Sequence, residues 1–230
     1  MKNTNQILFL GATLGIALIP SGLDAAAILA PGTSITGTTT SLNLSLSASP
    51  TGIRPVAGTH VTLANDGSGN LLYTPNSSST SDYFVTWNSL NINSNNFRYA
   101  QVTFSAITAG AVSSGWQTFF ADGDSTIGGG SNSGHGIGTV TPGAVPLVVV
   151  IDMIAFTGGS GGTEGARGWG AADPASDTVT SLRFDMFENT ANNGKTFTIS
   201  SVVLGNAIVP EPSSALLGGL GVLCLLRRRR

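Results

Sequence analysis

The residues able to do chemistry are few and gather in two glycine-loaded stretches. Residues 121–146 hold Asp122-Gly123-Asp124 and His135, and residues 157–177 hold Glu164, Arg167, Trp169 and Asp173. Long loops in a compact domain are often functional. Asp122 and Asp124 offer the carboxylate oxygens that a calcium ion takes. A dedicated calcium loop spaces further acidic residues behind the first two, and these are missing, so a solvated turn and no cofactor are expected. Trp169, with Arg167 two residues before it, is either a plug over the edge of the core or a stacking platform for a sugar ring. His60 and His135 have no neighbouring carboxylate or cysteine spacing, so no metal centre is expected.

Other charged residues read as structural. Arg183 and Asp185, at i and i+2, share one face of a strand and suit an ion pair. Asp152 interrupts an apolar run and requires a hydrogen-bonding partner, for which Arg98 or Arg183 is the candidate. Trp87 and Trp116 are expected in the core. No Gly-x-Ser-x-Gly elbow, His-Glu-x-x-His helix or phosphate loop is present, and sequence spacing alone cannot pair two carboxyls for glycoside hydrolysis. A non-catalytic protein is therefore expected, with no catalytic residue assigned.

The elements that must carry these residues are strands. Leu42, Leu44 and Leu46 alternate within 35–46; 83–87 is a second strand; and Ala100, Val102, Phe104 and Ala106 mark one face of 97–107. Residues 116–120 form a fourth. Residues 147–156 are apolar except for Asp152, which suggests a strand covered on both sides. Leu182, Phe184 and Met186 alternate against Ser181, Arg183 and Asp185 within 178–188, and Asn193-Gly194 reads as a hairpin turn into a last strand, 196–204. No convincing amphipathic helix falls between residues 28 and 209. The fold class expected is all-β: an antiparallel β-sandwich of jelly-roll type.

Composition sharpens this picture. The 230 residues carry a formal net charge of −2, but Lys2 and Arg227 to Arg230 supply five of the ten basic residues. From Ile28 to Val209 five basic residues face ten acidic ones. An acidic middle with no basic stripe argues against nucleic acid as a partner.

The two ends read as addresses. Lys2, the apolar run 7–19, Pro20 and Gly22, then Ala25-Ala26-Ala27, have the layout of a secretory signal peptide, with cleavage by signal peptidase guided by Ala25 and Ala27. At the other end, Pro210-Glu211-Pro212 precedes thirteen mostly small or apolar residues, 214–226, and then Arg227, Arg228, Arg229 and Arg230. As a helix the thirteen residues span about 20 Å, against a hydrocarbon core of about 30 Å. Such a segment suits a transient membrane stop, with the arginines held on the cytoplasmic side. The single cysteine, Cys224, lies in this run. With both ends removed the chain has no thiol, as suits an oxidising extracytoplasmic setting.

Pro-Glu-Pro, short hydrophobic helix and terminal arginines, in that order, resemble the PEP-CTERM sorting signal of Gram-negative envelope proteins. The resemblance implies recognition by an exosortase, a membrane-embedded transpeptidase-like enzyme that cuts near the motif. Glu211 would carry the acidic recognition group between Pro210 and Pro212. Over roughly residues 80–204 a second resemblance, carried by Leu90-Asn91-Ile92-Asn93, Gly115-Trp116-Gln117-Thr118-Phe119-Phe120, Trp169-Gly170 and Leu182-Arg183-Phe184-Asp185, is similar to carbohydrate-binding-like jelly rolls. The chain departs from that pattern at Met186 and at Ser200-Ser201.

The organisation expected is a signal peptide over 1–27, a β-sandwich over 28–208 and a sorting signal over 209–230, with helical segments at both ends. The function expected is a non-enzymatic secreted protein of the cell envelope, outer surface or extracellular matrix that contacts polysaccharide. Trp169, Asp122, Asp124 and Arg167 are its candidate ligand residues. The alternatives are a polysaccharide-active enzyme and a purely structural or adhesive surface protein.

Overall fold

The computed structural model describes residues 28–29, 31–47, 52–80, 82–122, 138–153, 169 and 178–209. The expected helices at the two ends lie outside these residues. Among the described residues there are eleven strands: β1 (Ser34–Ser41), β2 (Pro55–Ala57), β3 (Val61–Asn65), β4 (Leu71–Pro75), β5 (Phe84–Asn93), β6 (Tyr99–Ile107), β7 (Ser114–Asp122), β8 (Gly138–Val140), β9 (Leu147–Asp152), β10 (Thr178–Glu188) and β11 (Phe197–Val209). Among the described residues the only helical elements are two 3₁₀ turns, Ser94–Asn96 and Thr190–Asn192. No described helix is long and apolar enough to cross a membrane.

The strands form two antiparallel sheets. Sheet I has the order β3-β4-β11-β6-β9, with β1 also paired to β11, and sheet II has the order β2-β5-β10-β7-β8. The thirteen-residue β11 binds β4 through Phe197–Ile199 and β1 through Val203–Val209, while β6 lies along its other edge. Side-chain alternation aims Val102 and Phe104 of β6, Ile199 of β11, Trp87 of β5, Trp116 of β7 and Phe184 of β10 into the space between the sheets, where all are buried. The Phe104 ring makes edge contacts with Trp116 and Phe187 of sheet II and with Phe197 of its own sheet. The Trp87 indole donates to Asn43 O at 2.7 Å, and the Tyr73 hydroxyl crosses the core to donate to Met186 O at 3.0 Å. The polar atoms of these core rings are thus satisfied, as burial requires.

Most of the expected strands are present, and the both-sides cover expected around residues 147–156 is seen at Val149, Val150 and Ile151. Two expectations are corrected. Asn193-Gly194 does not join a hairpin, because β10 belongs to sheet II and β11 to sheet I. The turn instead carries the chain across the sandwich, with Gly194 at φ 72°. It is clamped by the fully buried Asn192, whose side chain accepts from Val112 N and donates to Val112 O, Ser114 Oγ and Phe187 O. The stretch 121–146, expected to be all loop, contains β8. Short strands β2, β3 and β4 also escaped the sequence reading. The β3–β4 turn is held by Asp66, which accepts from Ser68 N, Asn70 N and Asn70 Nδ2. These bonds, the Asn70 amide first, hold its carboxyl below the usual range.

Close packing of glycine fixes the end of sheet I. A Cβ on Gly205 of β11 would lie 2.1 Å from Ile35 Cγ2 of β1. Only a bare α-carbon lets the two strands close there.

Candidate functional site

The outward face of sheet II carries a concentration of charge and aromatic surface. Its centre is β10, which pairs with β5 on one side and β7 on the other. The registers set Arg183 opposite Thr86 and Phe119, and Asp185 opposite Phe84 and Gln117. The guanidinium carbon lies 3.6 Å from the Phe84 ring centre and 4.9 Å from that of Phe119. On the far side of Phe84 sits Gly58, where an added Cβ would come within 2.8 Å of the ring. Backbone, ring, guanidinium and ring therefore form one stack across the sheet, a geometry that fits the planar, weakly hydrated arginine and would not fit lysine.

Three carboxylates surround the stack. Arg183 binds Asp185 in a two-pronged pair, Nε to Oδ1 and Nη2 to Oδ2, and Nη2 also donates to Asp82 Oδ1 at 2.8 Å. The Asp185 side chain is 2% exposed, that of Arg183 15% and that of Asp82 57%. Glu188 completes the group, with ligand oxygens of Asp82, Asp185 and Glu188 all within 4.8 Å of one another. Strict alternation would place residues i and i+3 on opposite faces. A bulge prevents this: between Asp185 and Glu188 the partner strand advances by only two residues, from Gln117 to Gly115. Phe187 takes up the extra residue with φ 56° and turns into the core, so Glu188 joins Asp185 outside.

Proton affinities follow from this crowding. Burial pushes the Asp185 carboxyl up to about 6, against the opposing pull of Arg183. Burial, then the charges of Asp185 and Asp82, push Glu188 up to about 7, although Gln117 hydrogen-bonds it. Burial of the Arg183 guanidinium is outweighed by Asp185 and Asp82, and its affinity is raised overall. Three oxygen donors at this spacing are of the type hard cations accept, but both Asp185 oxygens already bind Arg183, which a cation would have to displace. The arrangement is suited to hydrogen bonding. Asp82 and Glu188 offer acceptors, Gln117 offers an amide, and the Nη1 donors of Arg183 make none of the bonds described above; Gln117, Arg183 and Glu188 stand on strands of sheet II, and Asp82 just before β5.

The residues singled out from sequence are placed elsewhere. Trp169 is buried, its indole donates to Phe97 O, and its ring meets Phe120 edge-on. It is a plug, without an open face for a sugar ring. Asp122 ends β7, level with Val179 of β10. Asp124 and Arg167 lie outside the described residues, as do Ala25, Ala27, Pro210, Glu211, Pro212 and Arg227 to Arg230. The expected partner of Asp152 is Arg98, whose Nε reaches both carboxylate oxygens at 3.1 Å and whose Nη2 reaches one at 2.6 Å. The i, i+2 pair of Arg183 and Asp185 is present. What the sequence reading missed is the contribution of Asp82, Glu188, Phe84 and Phe119. Alternation from Arg183 could have suggested the two phenylalanines only once the strand neighbours were known.

An antiparallel β-sandwich with a polar, arginine-centred outer face is the class of protein that these observations define. Its particular address lies in the tail: residues 209–230 match the family model described as the PEP-CTERM protein-sorting motif, and the chain is an exported protein of the Gram-negative type. Among solved structures, the chain is similar to a family 11 carbohydrate-binding module from Clostridium thermocellum in complex with a β-1,3-1,4-mixed-linked tetrasaccharide. That similarity has 16% identity and a TM-score of 0.43, and covers 74% of this chain and 96% of that one. No curated protein matches the chain.

Proposed function

We propose that this is a non-enzymatic envelope or extracellular-matrix protein, released to its final place by an exosortase acting at Pro210–Pro212, and that the outer face of sheet II contacts polysaccharide. Export rests on the sorting motif. The observation that carries the polysaccharide contact is the fixed position of Arg183, stacked between two phenylalanines and ringed by Asp82, Asp185, Glu188 and Gln117. A sugar polymer is recognised by convergent donors and acceptors already held in place, because each hydroxyl must exchange water for a fixed partner. Asp185 is sealed by its arginine and so is poorly placed to act on a substrate, which favours binding over catalysis.

The test is binding of the exported protein to the envelope and matrix polysaccharides of its own cells, repeated with Asp82→Ala and Gln117→Ala. Both positions are on the outer face, and each substitution is expected to weaken binding several-fold without unfolding the protein. Absence of binding by the unaltered protein to every such polysaccharide would sink the proposal. Deletion of Pro210–Pro212 should leave tail-bearing precursor in the membrane fraction.

A further inference from the structure

The strands of the two sheets differ in charge, and the sorting tail leaves from the sheet whose strands are less charged, with Asp66 and Lys195 confined to turns at the ends of its strands. Of all residues in the six strands of sheet I, Asp152 alone is charged, and it is paired with Arg98. The strands of sheet II carry Asp122, Arg183, Asp185 and Glu188, with Asp82 beside them. β11 ends at Val209, which is 51% exposed and pairs with Ser34 of β1. Ser34 in turn lines a groove with Pro31, Ala144, Pro146 and Val148, next to the exposed Val145. Segments 31–47, 141–151 and 197–209, which build this surface, contain no Asp, Glu, Lys or Arg.

Only Pro210 to Ser213 separate Val209 from the hydrophobic run. Four residues fully extended reach at most about 14 Å. The headgroup layer on one side of a bilayer takes up about 5–8 Å of that distance. While residues 214–226 are in the membrane, the end of sheet I is therefore held at the lipid surface. Acidic side chains brought there would meet anionic headgroups and lose hydration, whereas hydroxyls, valine and proline bear neither cost.

We propose that in the tail-bearing precursor sheet I lies against the lipid headgroups and the charged face of sheet II points away from the membrane. This rests on the transient membrane stage of the sorting reading. It leaves the arginine-centred face open to polysaccharide before the tail is cut.

The full chain, with Cys224→Ser, tests this when it carries a single fluorophore at Thr38→Cys, Val145→Cys or Asn88→Cys. Thr38 and Val145 are exposed on the uncharged surface, and Asn88 is exposed on β5 of sheet II. In vesicles of phosphatidylethanolamine and phosphatidylglycerol with a headgroup-bound quencher, positions 38 and 145 should be quenched several-fold more than position 88. Equal quenching, or stronger quenching at 88, overturns the proposal. A chain that does not float with the vesicles overturns the membrane stage itself, which is a distinct result. As a second arm, Thr36→Glu with Thr38→Glu should reduce the contrast between 145 and 88 on these vesicles and leave it intact on phosphatidylcholine. No change on the anionic vesicles would also refute the orientation.

Discussion

Sheet I and sheet II bury similar aromatic and aliphatic inner faces but present opposite outer ones. The first shows hydroxyls and small apolar groups, whereas the second shows an arginine held among carboxylates and rings. One ion pair from each sheet makes the contrast concrete. Arg98, with its side chain 50% exposed, covers Asp152 at the end of β9 from the solvent side. Arg183, 15% exposed, is built into the middle of its sheet. A buried pair costs desolvation and is weak evidence for stability in itself. Its location in a stack between two rings fixes the guanidinium in place, which is the feature on which the proposed polysaccharide contact rests.

The comparison can be broken first at what the sheets share. Phe104→Ala removes the ring that meets both sides of the core and should lower stability by about 3–5 kcal/mol. In urea, tryptophan fluorescence and circular dichroism should still report a single transition; two separate transitions would mean that the sheets do not fold as one unit. Next, Arg183→Met leaves Asp185 buried without its partner and should cost about 3 kcal/mol, whereas Arg98→Met also strands a buried carboxylate, Asp152, but beside an arginine that is half open to solvent, and should cost less, about 1–2 kcal/mol. Equal losses would erase the distinction drawn between the two faces. Gly58→Ala drives a methyl against a ring that Arg183 blocks from behind, and a loss of about 1–3 kcal/mol with weaker polysaccharide binding is expected. Unchanged binding would show that the stack does not set the position of Arg183.

The smallest effect is one of pH. Glu188 has an ordinary value of 4.5 and is pushed up to about 7 in the folded protein. Between those values the folded state binds more protons than the unfolded one, so stability falls as pH rises through the window. Asp185 acts in the same sense between 3.8 and about 6. Thermal midpoints should decline from pH 5 to pH 7, and Glu188→Gln should flatten the decline. A midpoint that rises over this range in the unaltered protein would contradict the crowding of carboxylates on sheet II.

Much of the fold was legible because strands are written in local alternation. The runs around Val102, Trp116, Val149 and Phe184 announce themselves, as does the demand of Asp152 for an arginine. Short strands such as β2 and β8, three residues each, fall below any usable period. The candidate site was less legible. Arg183 and Asp82 are 101 residues apart in sequence, and only strand pairing brings them into contact. Trp169, among glycines, could be read as either a plug or a stacking platform, and only its tertiary partners, Phe97 O for the indole and Phe120 for the ring, place it in the core.

The sequence by itself determined the C-terminal sorting motif, the all-β class, the cysteine-free acidic middle and the pairing of Arg183 with Asp185, since each depends on residues adjacent or nearly adjacent in the chain. The tertiary structure alone decided which strands share a sheet, that Asn193-Gly194 crosses the sandwich, and that a bulge at Phe187 turns Glu188 to the side of Asp185 and Asp82. The physical reason is that alternation assigns a side chain to a face, while hydrogen-bond register between distant strands, and one inserted residue, decide which side chains meet on that face.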